Sequence, residues 1–386
     1  MTLVSRRHFL ESSLSIPLAA HPLAALAIDP GKPQLLLVGT RTGSVSKGIY
    51  TYRFDSVAGE LHLLGLAAET ENPTFLTLGP NGKTVFAINE VGTFQGQASG
   101  GISSFLLDRG ATRLKPVNER VTRGNGPCHV ATDRTGRCVF AANYGDGSAA
   151  SYRADARGKL SEAVSLFQYI GSGPNRERQT QPRAHRVTVS PENRFVMVCD
   201  LGLDLIHIYR LDADTATLTP HHPSSWKATA GSGPRAMQFH PNGRWAYCVT
   251  ELASTVNTLH WDARYGTLDT VQEISMLPDG YTGNTGGADI VVESTGHFAY
   301  AANRGNDFLA TFAISQMDGR LTLMERSPCG GRTPRHLTLD KSERWLLVAN
   351  EDTDAIAVFA RDPATGKLAH NGASVPLEKP QCLVFA

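Results

Sequence analysis

Short runs of alternating apolar and polar positions, each cut off by turn residues, recur along the chain. Segments 73–90 (PTFLTLGPNGKTVFAINE), 127–144 (PCHVATDRTGRCVFAANY), 234–251 (PRAMQFHPNGRWAYCVTE), 287–304 (GADIVVESTGHFAYAANR) and 334–351 (PRHLTLDKSERWLLVANE) align without a gap over 18 residues. A sixth, 184–201 (AHRVTVSPENRFVMVCDL), aligns equally well, with Pro182-Arg183 inserted just ahead of it. With the leading Pro, Gly or Ala numbered zero, positions +3 and +5 are apolar in nearly every copy, as in Leu76/Leu78, Val187/Val189, Met237/Phe239, Ile290/Val292 and Leu337/Leu339. Thr132, after Val130, is the polar exception. A period of two marks a strand with one buried face. Turn residues such as Pro80-Asn81-Gly82 and Pro241-Asn242-Gly243 follow, and then a continuous apolar strand such as Val85-Phe86-Ala87-Ile88. Each copy therefore predicts a hairpin. A third strand is expected at 49–54, 101–106, 149–153, 205–211, 256–261, 308–314 and 355–359, and a more variable outer strand after it, for example at 166–170.

A seventh copy is split between the ends of the chain. Residues 380–386 (PQCLVFA) supply its first half and residues 34–41 (QLLLVGTR) its second. Seven copies at a spacing of roughly 40–55 residues are the signature of a repeat array that closes on itself. The expectation is an all-β, seven-bladed β-propeller with four-stranded antiparallel blades, spanning residues 28–386 as one domain. Its ring would be closed by N- and C-terminal strands in one blade, leaving no free sheet edge.

Ser5-Arg6-Arg7-His8-Phe9-Leu10 has the form of a twin-arginine signal. An apolar stretch from Leu14 to Leu26 and an Ala25-Leu26-Ala27 cleavage site follow it in the right order, so residues 1–27 read as an export signal and the protein as periplasmic. Glu11 departs from the pattern, which more often carries a basic residue there. No other apolar run approaches the roughly 18–20 residues of a membrane span.

Composition narrows the classes of partner. The chain has 386 residues, 41% apolar and 19% charged, with 37 Lys+Arg against 36 Asp+Glu, as in an ordinary globular protein. A net charge of +1 lacks the basic excess of a nucleic-acid binder. The 37 Gly and 21 Pro suit short strands and tight turns. The six cysteines (Cys128, Cys138, Cys199, Cys248, Cys329, Cys382) show no metal-like spacing, and in a chain this long they read as free, buried thiols.

The repeat also supplies geometry. The first strand of each blade lines the central channel, and the second runs back, so positions +1 and +17 should meet at one mouth. The +1 ring is Thr74, Cys128, His185, Arg235, Ala288, Arg335 and Gln381; the +17 ring is Arg41, Glu90, Tyr144, Leu201, Glu251, Arg304 and Glu351. Such a mouth, rich in Arg, Glu and His, suits a small anionic or polyhydroxylated ligand.

Gly126-Pro-Cys-His-Val-Ala, Ala142-Asn-Tyr-Gly-Asp-Gly-Ser, Ala184-His185, Asp200-Leu201-Gly202-Leu203-Asp204, Gly233-Pro234-Arg235, His240-Pro241, Thr250-Glu251-Leu252, Ala302-Asn303-Arg304-Gly305 and Val348-Ala349-Asn350 together resemble the seven-bladed-propeller lactonase family over residues 33–386. The best-known activity of that family is 6-phosphogluconolactonase, and carboxy-cis,cis-muconate cyclase is a relative. By motif, the His, two Arg and Glu of the cyclase relatives fall on His185, Arg235, Arg304 and Glu251, all four in the two rings above. The chain departs from the family pattern at Arg183 and Ala236, where a His is frequent, and at Asn306.

The resemblance implies a lactone hydrolase acting on an aldono- or 6-phosphogluconolactone without cofactor or metal. Glu251 or His185 would activate water and the other would protonate the leaving alkoxide. Arg235 and Arg304 would hold the oxyanion, with Arg335 and Arg183 as further substrate contacts. The alternatives are a carboxymuconate-type lactonizing cycloisomerase using the same groups, and a non-catalytic propeller that binds a small anion. Singly, each residue has a structural counterpart: His185 as a strand cap, the others as a channel salt-bridge network. His129 and His336, at +2, read as structural, Asp200 and Asp204 as turn formers. His221-His222, in an outer-strand loop, lacks a third ligand for a metal. The expected partner is a small lactone, with no nucleic acid and, after signal removal, no membrane; a monomer or weak homo-oligomer is expected.

Overall fold

The computed structural model describes residues 32–386, so the expected export segment 1–27 lies outside the described residues. Within them the chain forms seven four-stranded antiparallel sheets. We number the blades 1 (residues 76–121), 2 (127–168), 3 (184–227), 4 (234–275), 5 (287–328), 6 (334–376) and 7 (380–385 with 34–69). In blade 4 the strands run Pro234–Phe239, Trp245–Thr250, Thr255–Asp262 and Thr267–Ser275, from the channel outward. The first strand of every blade contacts the first strand of the next, all the way round. The one helical element among the described residues is a single 3-10 turn, Glu351–Thr353.

The repeat explains this layering. The second strand of each copy is a continuous apolar run and is buried along its length, as in Cys138–Asn143 and Trp345–Asn350. It lies in the middle of its sheet with another blade against each face. Outer strands alternate, as Leu160–Gln168 does, because one face packs and the other meets water. That outer strand begins six residues before the expected 166–170 and stops short of Ile170, which is 89% exposed. The turn between the first two strands needs a left-handed residue. Gly82 (φ 64°) and Gly243 (φ 70°) supply it, and Asn81 and Asn242 accept hydrogen bonds from the backbone amides of Lys83 (2.8 Å) and Arg244 (2.9 Å).

Blade 7 closes the ring as the split copy requires. Leu36 pairs with Phe385, Leu37 with Val384 and Val38 with Leu383, in antiparallel register. Leu36, Leu37, Val38, Cys382 and Leu383 are all buried. All six cysteines are free and buried.

Candidate functional site

The first strands bring their +1 residues to one mouth of the channel, and the second strands deliver their +17 residues beside them. The two rings are joined by charge. On one side Thr74 Oγ1 donates to Glu90 (2.6 Å), Glu90 pairs with Arg41 (2.9 Å), and Arg41 and Arg335 both approach Glu351 (3.7 and 3.5 Å). On the other, Glu251 holds three guanidiniums: Arg235 Nε at 2.9 Å and Arg304 Nη2 at 2.6 Å on Oε2, and Arg178 on Oε1. Arg235 is fixed further by a bond to the Ala288 carbonyl.

His185 sits among these cations without touching Glu251. Its backbone carbonyl accepts from the Cys128 thiol at 3.2 Å, and its ring packs edge-on against Tyr144. Burial, then Arg235, Arg335, Arg304 and His129, hold its pKa well below the ordinary 6.5, so the ring is neutral at neutral pH. Burial alone would raise the Glu251 carboxyl, but Arg304, Arg235 and Arg178 outweigh it and hold it at about 2. Arg235, 4% exposed, is pushed down to about 9 by burial and by its like-charged neighbours Arg304 and Arg335, and stays protonated at neutral pH.

His185, Arg235 and Arg335 line one small void on the channel axis, to which Gln381, Thr74 and Cys128 also contribute. Glu251 and Arg304 brace it from the second ring. Arg183 stands apart at the rim, with its guanidinium 5.0 Å from the Tyr144 ring centre. Arg178 was not identified from sequence, and Tyr144 entered only as a member of the +17 ring. Tyr144 contacts His185, Arg183 and Arg178 (3.3 Å), and Arg178 reaches Glu251 from a loop that leaves the repeat. The only sequence signal for Arg178 was the insertion before residue 184, which marks a connection longer than its counterparts.

The sequence motifs have clear mechanical roles. Asp200 accepts from the backbone amides of Arg183 (2.8 Å), Gly202 (2.9 Å) and Leu203 (3.1 Å), and Asp204 accepts from Gly231 (2.7 Å), Gly233 (2.8 Å) and the Gln179 side chain (2.7 Å). The two carboxylates thus anchor the Arg178 loop and the approaches to His185 and Arg235. In the Ala142–Ser148 run, Asp146 accepts from the Asn125 amide (3.0 Å), and a Cβ at Gly145 would lie 2.7 Å from the Asn125 carbonyl, so the turn that presents Tyr144 requires glycine.

Below this mouth, the +2 side chains close the channel. His129 Nδ1 accepts from Val187 N (3.4 Å), His336 Nδ1 from Leu383 N (3.3 Å), Asp289 from Leu337 N (3.2 Å) and the Cys382 sulfur from Leu76 N (3.4 Å). Each bond ties one first strand to the next, so both histidines act as structural staples. The Phe75 ring, 4.1 Å from His129 and 5.4 Å from His336, fills the centre, with an Arg186–Asp289 ion pair beside it. Beyond this belt the channel widens into a cavity of about 560 Å³. His221 and His222 lie within the outer strand Thr217–Lys227, not in a loop, and His221 Nε2 is engaged with the Tyr265 carbonyl at 2.6 Å. Among the described residues no group of three or more His, Cys, Asp or Glu could hold a metal ion. No helix among them is long and apolar enough to cross a membrane.

Residues 35–385 match the family model described as "Lactonase, 7-bladed beta-propeller". The chain is 34% identical over 348 residues to a 6-phosphogluconolactonase of Bacillus subtilis, covering 90% of this chain and 97% of that protein. Among solved structures, a putative 6-phosphogluconolactonase of Bacteroides fragilis superposes with a TM-score of 0.85 at 33% identity, covering 93% of this chain and 99% of that one. A Pseudomonas aeruginosa protein described as periplasmic gluconolactonase, PpgL, superposes with a TM-score of 0.87 at 32% identity, covering 92% and 99%.

Proposed function

The chain belongs to the seven-bladed β-propeller lactonase family, and from that premise we propose that it hydrolyses a sugar lactone at the Arg-rich mouth, without a metal. The observation that carries this reading is a neutral imidazole, His185, set beside guanidiniums that Glu251 holds in place. Six guanidiniums (Arg41, Arg178, Arg183, Arg235, Arg304, Arg335) share the mouth with three carboxylates (Glu90, Glu251, Glu351), which favours an anionic substrate or transition state.

The electrostatics favour one division of the roles that sequence left open. Glu251, held at about pKa 2, has both oxygens committed to Arg178, Arg235 and Arg304 and so positions them, which leaves His185 as the base. A ring nitrogen of His185 takes a proton from water as the water oxygen bonds to the lactone carbonyl carbon. The carbonyl π electrons move to oxygen, where Arg235 and Arg304 stabilise the charge. When the intermediate collapses, the ring C–O bond breaks and the leaving alkoxide recovers the proton from the imidazolium. Burial and then the guanidiniums hold His185 down; an anionic substrate offsets the guanidinium part and so raises its proton affinity as the reaction begins. Arg335 and the rim residue Arg183 are the further anion contacts.

Two features support an exported enzyme for unphosphorylated aldonolactones: the Arg6-Arg7 signal, and the likeness to a protein described as a periplasmic gluconolactonase. The test is a pH-stat assay of the mature protein on glucono-δ-lactone and 6-phosphoglucono-δ-lactone, corrected for spontaneous opening. Acid release above that background is expected, with the plain lactone the better substrate. Calorimetric binding of gluconate with no release from either lactone would replace the hydrolase with a binding protein.

A further inference from the structure

Gln381, the +1 residue of the split seventh copy, is the one uncharged amide in the inner ring. It is 1% exposed, and neither its Oε1 nor its Nε2 has a hydrogen-bond partner in the protein. A buried primary amide left in that state costs several kcal/mol on the scale of about 2–7 for an uncompensated polar group. A closed propeller has a ready way to avoid that cost, since an apolar residue at this position would fill the same space. The amide faces the void that His185, Arg235 and Arg335 line from other blades. Residues from all seven blades surround this space, with Phe75, His129, Arg186, Asp289 and His336 on its lower side, and its volume is about 20 Å³. About 10–15 Å³ suffices for one water, provided two to four polar groups meet it. A sugar does not fit; a water does.

We infer that this void is the seat of the hydrolytic water and that Gln381 is its positioning residue, holding it against His185 from the opposite side of the channel. The inference rests on the lactonase reading above and deepens it. The position of Gln381 in the ring supports the assignment. Counting blades around the ring, it stands opposite the gap between His185 of blade 3 and Arg235 of blade 4. The amide carbonyl accepts one water proton and the imidazole the other, while the amide N–H₂ is free to donate. The water then presents a lone pair toward the mouth, where the lactone carbonyl lies against the guanidiniums. The His129–Phe75–His336 belt lies between this void and the lower cavity, lining both. The chemistry is balanced as written for the hydrolysis: Gln381 gains and loses no proton.

The test is Gln381→Leu, which keeps the volume and removes both polar atoms. Loss of a positioned nucleophile should lower kcat by about 10²-fold. KM should stay within about threefold of wild type, because the substrate contacts are elsewhere. Tm should hold or rise, since a buried amide gives way to an apolar group. A crystal structure of the wild type at high resolution should show one water within hydrogen-bond distance of Gln381 and His185, and that of Gln381→Leu should show none. Wild-type kcat in Gln381→Leu, or a dry void in the wild type, overturns this inference and leaves the lactonase reading standing. Failure of the wild type to open any lactone overturns both.

Discussion

Replacing Glu251 by Gln removes the one negative charge that holds three guanidiniums, and the structure sets the size of the loss. Glu251 is 4% exposed, with Arg235 and Arg304 at 2.9 and 2.6 Å. Holding its pKa at about 2 instead of 4.5 corresponds to about 3 kcal/mol of folding free energy. That agrees with the roughly 3–5 kcal/mol lost when one partner of a buried ion pair is removed. The sign follows from proton counting. Above pH 4.5 the carboxylate is charged in both the folded and unfolded chain, and the contribution is complete. As pH falls from 4.5 to about 2 the unfolded chain takes up the proton first, and the contribution fades. Urea unfolding of wild type and Glu251→Gln should therefore show a gap of about 3 kcal/mol that is constant down to about pH 5 and narrows below it. A gap under about 1 kcal/mol at neutral pH, or one that does not change with pH, would refute the three-cation clamp.

Four further outcomes are expected. His185→Asn should lower kcat by about 10²–10⁴-fold without lowering Tm. Wild-type kcat/KM should hold as pH falls through 6.5, because the free enzyme's imidazole stays neutral there; an acid limb with a pKa of 6.5 or above would be inconsistent with the buried, cation-flanked ring. Deleting residues 380–386 removes the buried Cys382 and Leu383 and bares the Leu36–Val38 edge, so the product should be insoluble or unfolded, and a soluble variant with wild-type Tm would argue against ring closure by blade 7. Changing Arg6 and Arg7 together to Lys should leave the precursor in the cytoplasm, as read by fractionation, and undiminished periplasmic protein would count against the twin-arginine route.

The ring architecture was legible because it rests on local periodicity. An 18-residue hairpin pattern repeated six times, and a seventh split between the termini, admit few arrangements other than a closed ring. The same symmetry places His185, Arg235, Glu251 and Arg304 at one mouth, since strand direction alone decides which end of a strand faces which opening. The outer strand of blade 2 was harder to place: its alternating pattern extends back to Leu160, and local apolarity does not say where pairing with the third strand begins.

What the repeat could not reveal lies where the chain leaves it or where charges act across blades. Arg178 comes from an irregular loop, and only the folded chain shows that Asp204 and the Leu201 carbonyl, through Gln179, hold that loop over Glu251. The order of residues does not show which mouth groups touch one another. Glu251 and His185 both occupy the mouth; three cations touch the carboxylate and hold it down against its burial, whereas burial and then the surrounding cations hold the imidazole down. Gln381 in sequence is one polar residue in a strand; its unpaired amide faces a water-sized void only after seven strands have closed around it. Periodicity is a property of neighbouring residues and can be read along the chain. Desolvation and Coulomb interaction depend on distances between blades, and only the closed ring sets those.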